Sequence, residues 1–482
     1  MRKTFYALGV CLLALLVGCT AESPQKLIIN TVTAPANRSA AVAGTNSSLY
    51  EVAELPAAPL TLKHAIELAL QRNPGLKAQA AAVERASAQL SLSYARVYPQ
   101  LVGEAGYMRG DDSMHALMKK VAARTFQPAE DFNNPGVFDN FEAGLGLRWN
   151  VWSGGRDLLG IDVARNGVSA AEAYYRATEQ RLVASVIGAF LNHQTARELL
   201  KSDEASIRSV AAQVREAQAK VDAGTVVRSD LLSLKVRLAE AKERKIRTEN
   251  GAGLAIAALR QLLSLTPDTK LILEYSKPIL PVLAEELTGA VNIAQRERAE
   301  LLAAQRRVDA SKLELTRSRR AYLPTLDFES RLYGGSVPAA WDLGRDNWYI
   351  NLGLTQSLFD GGQRSAEVDR AQAVLEQSVS ELEQVRSLVT AEVETALLAL
   401  NEAKERLKVT EQAVRAAVEG LELVEKQYAG GTVVVTRFLE AEAAKSRAEG
   451  ARIMAGLEME QTQVELARVL GLLGSEGSGR PE

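Results

Sequence analysis

The chain is written twice. Gly154-Gly155 in the segment WNVWSGGR and Gly361-Gly362 in QSLFDGGQR lie 207 positions apart. The same offset pairs Asp162 with Asp369, Ala184 with Ala391, and Gly224-Thr225-Val226-Val227 with Gly431-Thr432-Val433-Val434. Upstream of the glycine pairs the offset is 225, matching Leu76 with Leu301, Leu90 with Leu315 and Pro99 with Pro324. The difference of 18 residues is a longer loop in the first copy, between Arg109 and Phe141. Two such constant offsets define one structural unit used twice, so any fold proposed for one half must also serve the other.

Each copy has the same order of parts. A helix of about 35 residues (62–98; 287–322) ends at Tyr98-Pro99 or Leu323-Pro324, where proline cannot continue it. Two strand-like stretches follow, near 100–110 and 141–152 in the first copy and 325–333 and 348–359 in the second. After the glycine pair comes a very long helix (156–222; 363–429), then a Gly-Thr turn, then a last helix (228–264; 434–472). Ile207, Val210, Val214, Ala217 and Val221 step by 3, 4, 3, 4, as do Val414, Ala417, Leu421, Val424 and Tyr428, which is heptad spacing. At 1.5 Å per residue each long helix spans roughly 100 Å. The two shorter helices of a copy, end to end, reach about as far, so the spacing predicts a rod four helices wide.

The strands change the period to 2. Phe141, Ala143, Leu145, Leu147, Trp149 and Val151 alternate with polar or small residues, and Trp348, Ile350, Leu352, Leu354 and Leu358 do the same in the second copy. Weaker stripes run through Leu326, Phe328 and Leu332 and through Leu101, Ala105 and Tyr107. About ten residues, apolar on one face and polar on the other, suit a membrane β-barrel strand, and also a soluble sheet resting on a core. Four strands cannot enclose a water-filled barrel, so a barrel reading requires several protomers. Nothing after residue 19 is apolar for long enough to form a transmembrane helix.

Composition agrees with long helices: only 5% of residues are aromatic and 24% are charged, with both signs interleaved. The net charge of −2 leaves no basic face for nucleic acid. Arg2 and Lys3 precede an apolar run that ends in Leu16-Val17-Gly18-Cys19, the pattern of a lipoprotein signal cleaved before a lipidated Cys19. Thr20 is not the Asp that holds a lipoprotein at the inner membrane. The organisation expected is a signal peptide (1–18), a lipidated extended tether (19–60), repeat 1 (61–265), an equatorial linker (266–286), repeat 2 (287–472) and a short tail (473–482).

Catalytic chemistry finds no foothold. His64, His115 and His193 are far apart and share no ligand spacing with Cys or acids, so neither a metal nor another cofactor is expected. The glycine pairs lack the Lys and the spacing of a phosphate loop. They serve instead to pass the backbone from strand to helix through positive φ, with Ser153 and Asp360 as expected helix N-caps.

Together the duplication, the WSGGR and FDGGQR junctions, the Tyr-Pro and Leu-Pro helix ends and the two Gly-Thr tips resemble the TolC-type outer-membrane efflux proteins, in their lipid-anchored branch. The likeness covers residues 60–472. It implies a mainly α fold with a membrane β-barrel portion: a homotrimeric α/β channel-tunnel, lipid-anchored in the outer membrane of a Gram-negative bacterium, with its tunnel in the periplasm. A periplasmic adaptor and a proton- or ATP-driven inner-membrane pump are the implied partners, contacting the tips at Gly224, Thr225, Gly431 and Thr432. The resemblance also places a gate at Asp230, Tyr428, Arg437 and Glu440, with a Tyr428–Asp230 hydrogen bond as its latch. Here Val433 stands where the family's latch has an Arg, and Arg437 replaces one of two ring carboxylates while Glu440 keeps the other. The anchor and the short segment after Leu473 favour small-molecule efflux over type I protein secretion or metal efflux. A periplasmic spacer or adaptor lipoprotein is the competing reading of another class.

Overall fold

The computed structural model describes residues 59–474 except 129–130, 132, 135, 276–277, 279, 281–283, 285, 337–345 and 431. The signal peptide, Cys19, all of the tether but Pro59 and Leu60, all of the tail but Leu473 and Gly474, Gly431 and part of the linker therefore lie outside the described residues. The first copy runs α1 (Leu62–Arg72), α2 (Pro74–Ala95), β1 (Gln100–Gly110), α3 (Ser113–Ala122), β2 (Phe138–Trp152), α4 (Arg156–Asp222) and α5 (Arg228–Leu262). The second runs α6 (Leu287–Glu297), α7 (Ala299–Arg319), a 3-10 turn, β3 (Thr325–Ser336), β4 (Asp346–Thr355), α8 (Gln363–Ala429) and α9 (Val435–Val469).

Helix α4 lies against α2, α5, α7 and α9, while α8 lies against α6, α7 and α9. The two 67-residue helices thus run the full length of a four-wide layer. The stacked pair α2 and α5 flanks α4, and the pair α7 and α9 fills the space between α4 and α8. Heptad positions Val210 and Ala217 of α4 and Leu421 and Val424 of α8 are buried within this layer.

The helix expected ahead of each strand pair is two helices, broken at equivalent positions. In the first copy Pro74 disfavours helical geometry at Asn73 (ψ 122°), whose Oδ1 then caps α2 by accepting from the Leu76 amide at 3.2 Å. The second copy has Ala299 after its break at Arg298 (ψ 117°), so no proline forces it. Both breaks do the same work on the helix below. Asn73 Nδ2 donates to the Leu262 carbonyl at 3.1 Å, and Arg298 Nη1 donates to the Val469 carbonyl at 3.1 Å. Each satisfies an orphan acceptor at the C-terminus of its own copy's last helix. Arg298 is 5% exposed and also pairs with Glu392 at 2.7 Å and Glu300 at 3.1 Å.

Those last helices end alike. The Leu265 amide returns to the Arg260 carbonyl and the Leu472 amide to that of Ala467, each across a left-handed residue. That residue is Gly471 (φ +76°) in one copy but Ser264 (φ +55°) in the other.

The four strands form one antiparallel sheet in the order β1-β2-β3-β4. Residues directly opposite in such a ladder share a face. Leu101 opposes Leu147, which opposes Ser330, which opposes Ile350; Leu145 opposes Leu332, which opposes Trp348. All four apolar stripes therefore lie on one face. The other face carries Glu104, Glu142, Arg148, Asp327, Glu329 and Arg331, knit together by Arg331 to Glu104 and Glu142 at 3.0 Å each and Arg148 to Glu104 at 3.2 Å. Strand β4 stops at Thr355, short of the expected 359.

At the strand-to-helix turns Gly154, Gly155, Gly361 and Gly362 all have φ between +67° and +88°. The glycine is itself the N-cap, so Ser153 and Asp360 act from two residues upstream. Ser153 Oγ accepts from the Asp157 amide and Asp360 Oδ2 from the Arg364 amide, both at 3.2 Å. The Arg364 side chain, with the amides of Arg364 and Gly362, holds the Asp360 carboxyl below the usual range.

Ser264 suffers twice, since its buried hydroxyl has no hydrogen-bond partner among the described residues. Ser264→Gly removes both the left-handed strain and the orphan hydroxyl, and is expected to stabilise the protein by about 1 kcal/mol. Thermal unfolding followed by circular dichroism should show the rise; a lower midpoint would mean the hydroxyl is satisfied in solution.

Candidate functional site

The end of the helical layer farthest from the sheet is formed by two helical hairpins, α4–α5 and α8–α9. Each turn closes in the same way. The Thr225 amide and hydroxyl both donate to the Lys220 carbonyl, at 2.9 and 3.0 Å, with Gly224 left-handed at φ +76°. Thr432 repeats this on the Gln427 carbonyl, at 2.9 Å for both groups. Threonine is thus the cap that seals each tip, and Val227 and Val434 then extend to begin the descending helices.

The hairpins meet through apolar contacts. Ala217, Leu231 and Leu234 of the first hairpin bury Val435 of the second, with Val221, Tyr428 and Leu439 at the margin. Tyr428 also belongs to the cluster of Leu421, Val424 and Phe438, which takes in Val433. Its ring stacks on Phe438 with centroids 5.5 Å apart and 25° between planes, and Lys220 Nζ lies 5.6 Å from its centroid.

The structure therefore brings Tyr428 to Phe438 and Lys220, and not into a hydrogen bond with Asp230. The anticipated latch bond is absent among the described residues because the ring is drawn onto Phe438. Burial pushes the Tyr428 phenol up; Lys220 opposes the shift, and the charges of Glu216 and Asp230 add to it. Asp230 sits in the first turn of α5, where a carboxylate suits the helix dipole. Arg437 and Glu440 are brought together as an i,i+3 pair at 3.2 Å, with side chains 63% and 64% exposed. Glu440 is thus partly neutralised by its own helix, in water, where such a pair adds little stability. Val433 packs as a hydrophobe in place of any charge.

Sequence reasoning missed the strongest polar contact between the hairpins. Glu442 of α9 is 4% exposed; it accepts from Ser206 Oγ of α4 at 2.5 Å and pairs with Arg237 of α5 at 3.0 Å. Higher up, Arg244 reaches Asp203 at 3.6 Å and Ser446 Oγ at 3.3 Å, and Thr248 donates to Asp203 at 2.7 Å. A signal existed: Val435, Phe438 and Glu442 step by 3 and 4, which puts a carboxylate in the apolar stripe of α9.

Among the described residues no group of three or more His, Cys, Asp or Glu could hold a metal. No described helix is long and apolar enough to cross a membrane. Half-buried His193 has its imidazole pushed below its ordinary range by burial, with the nearby Arg197 charge adding to the shift.

A one-sided sheet joined by left-handed turns to helices of this length defines a membrane channel subunit. The chain belongs to the outer membrane efflux protein family, whose model matches residues 65–264 and 290–472. That membership makes it an outer-membrane transport protein and not an enzyme. The outer membrane protein OprJ of Pseudomonas aeruginosa is 25% identical over 496 residues, spanning 99% of this chain and 98% of that one. Protein CyaE of Bordetella pertussis is 27% identical over 353 residues, 72% of this chain and 70% of that one. The solved structure of CusC superposes with a TM-score of 0.74 at 20% identity, over 88% of this chain and 95% of that one.

Glu442→Ala leaves the largely buried Arg237 with the exposed Glu240, at 3.0 Å, as its remaining partner among the described residues. A buried charge left wholly unpaired costs about 3–5 kcal/mol, and with Glu240 still beside Arg237 the loss falls below that. A clear drop in thermal midpoint is expected, larger than for Glu440→Ala; equal effects would mean that Glu442 is solvated.

Proposed function

We propose that three copies of this chain close one barrel in the outer membrane and one helical tunnel beneath it, a passive conduit from periplasm to exterior for small molecules. An inner-membrane pump supplies the energy, and a periplasmic adaptor engages the tips at Gly224, Thr225, Gly431 and Thr432. One observation carries the reading. The cross-strand register puts all four apolar stripes on one face and Glu104, Glu142, Arg148, Glu329 and Arg331 on the other, with the Arg109–Asp139 pair at the strand ends on the apolar side, in a sheet whose edges β1 and β4 have no partner among the described residues. Lipid outside and water inside is the surrounding that such a sheet fits. Cys19 adds a lipid anchor to this assembly.

In this reading the tips are the gate and Tyr428 is its apolar hinge pin, with Asp230, Arg437 and Glu440 as the charged rim. The closed state rests on few contacts, so a partner that binds the open arrangement more tightly shifts the equilibrium. The Arg437–Glu440 pairing weakens any ring of negative charge at the constriction.

Two measurements test this. The protein should remain a trimer in mild detergent, in the outer-membrane fraction, even after Cys19→Ala; release as a soluble monomer would favour a spacer lipoprotein. In planar bilayers Tyr428→Ala should raise single-channel conductance several-fold, while Tyr428→Phe stays near wild type because the ring makes the contacts. A Tyr428→Phe channel as open as Tyr428→Ala would return the latch to the hydroxyl.

A further inference from the structure

The loop that makes the first copy longer is not a plain loop. Its helix α3 is capped by Asp112, whose Oδ1 accepts from the His115 amide at 2.8 Å. What matters is where α3 lies. Lys119 Nζ meets Glu142 at 2.6 Å, and Asn347 Nδ2 donates to the Ala122 carbonyl at 3.0 Å. Glu142 and Asn347 both belong to the charged face of the sheet, on β2 and β4 respectively, so α3 crosses that face above β3.

Burial agrees. Phe138 and Asn140 share the parity of Glu142 and are each 3% exposed, although this face of the sheet is otherwise polar and open. Ala116 and Ala123, small enough for close approach, are the buried side of α3 and its end. Glycine flanks the anchor point, since Glu142 opposes Gly106 on β1 and Gly335 on β3. A strand glycine leaves room for another backbone. The strand ends Gly110, Phe138, Ser336 and Asp346 lie at the end of the sheet away from the long helices, so α3 occupies the outer mouth.

The opposite side of α3 is apolar and uncovered. Met114, Met118 and Val121, at helical spacings of four and three, are 66%, 62% and 51% exposed. Under the trimeric reading above, on which this inference rests, that side points at the barrel axis. Twelve strands about 4.8 Å apart and tilted by about 40° enclose a backbone cylinder about 24 Å across. Three helices with side chains, each about 10–12 Å wide, fill a circle of about 22–26 Å when in mutual contact. Because the diameter of about 24 Å is measured between strand backbones, the three helices fit only where the wall side chains are small, as at Gly106 and Gly335 beneath α3.

We propose that α3 is an inward-folded lid whose Met114–Met118–Val121 face docks on the same face of the other two copies, closing the outer mouth of the barrel. The occupant of this apolar face is a second and third copy of this chain. Methionine suits the task, because its flexible thioether packs without demanding one fixed geometry and can part again. The anchor holding each lid down is Lys119 on Glu142, itself held by Arg331.

The test is disulfide trapping in the full-length protein purified in mild detergent. Paired cysteines need Cβ atoms about 3.5–4.5 Å apart, so only touching lids can join. Mild oxidation should convert Met118→Cys, and separately Met114→Cys, into a reducible covalent dimer on denaturing gels. Leu145→Cys, on the apolar outer face, should give none. Adding Lys119→Glu to Met118→Cys should cut the yield several-fold. An intact trimer that gives no product from either methionine position overturns the lid, as does equal product from Leu145→Cys. Product untouched by Lys119→Glu overturns the anchor. Loss of the trimer in the unsubstituted protein would instead overturn the assembly itself, and the lid with it.

Discussion

A sheet that is apolar on one face cannot rest in a membrane with open edges. In hydrocarbon an unpaired N–H or C=O costs several kcal/mol, and β1 and β4 together present two full rows of them. The only relief that keeps the register observed is pairing of β1 with β4 of another copy. Everything below inherits this demand. Helix α4 is enclosed by its neighbours in the layer, but α8 shows Leu388, Leu398, Val409 and Leu423 to the outside, and these too need a covering protomer. The protomer is thus one sector of a ring, and its exposed apolar residues are the seams of that ring and its lipid face.

Much of this was legible because two periodicities and one repeat leave little freedom. Once Gly154 and Gly361 are seen as the same residue, helices of equal length must follow both, and α4 and α8 each have 67 residues. The alternation in β2 and β4 gave the sidedness of the sheet, though not its pairing, which rests on long-range register.

What was not legible is held by tertiary contacts. The break at Asn73 could be anticipated from Pro74, but the one at Arg298 exists because a buried guanidinium reaches the Val469 carbonyl. No local pattern announces that. At the tip, the family pattern points Tyr428 towards Asp230, yet Phe438 offers its ring a dry partner, and stacking plus burial outweigh an exposed hydroxyl bond. Glu442 announces itself only when the apolar stripe of α9 is followed far enough to meet a carboxylate. Helix α3 was hidden in an inserted loop, although Asp112 before Ser113 is an N-cap pattern.

The duplication gives the two hairpins one backbone but not one set of contacts. Under the offset of 207, the residues equivalent to Ser206 and Arg237 are Ala413 and Ala444, and the one equivalent to Glu442 is Lys235. The buried carboxylate clamp is therefore written once per protomer, joining α9 to α4 and α5 of the same chain. In a trimeric ring the hairpins alternate, and the joint between one protomer and the next would set Lys235 against alanines. Such a ring would carry this clamp at three joints and lack it at the other three. Parting Glu442 from Arg237 would strip a 4%-exposed carboxylate of its ion pair, so the joint that carries the clamp is the costlier one to open. The two copies keep each other's length, 67 residues in both long helices, and they differ in the few side chains that would let one joint hold where the other parts.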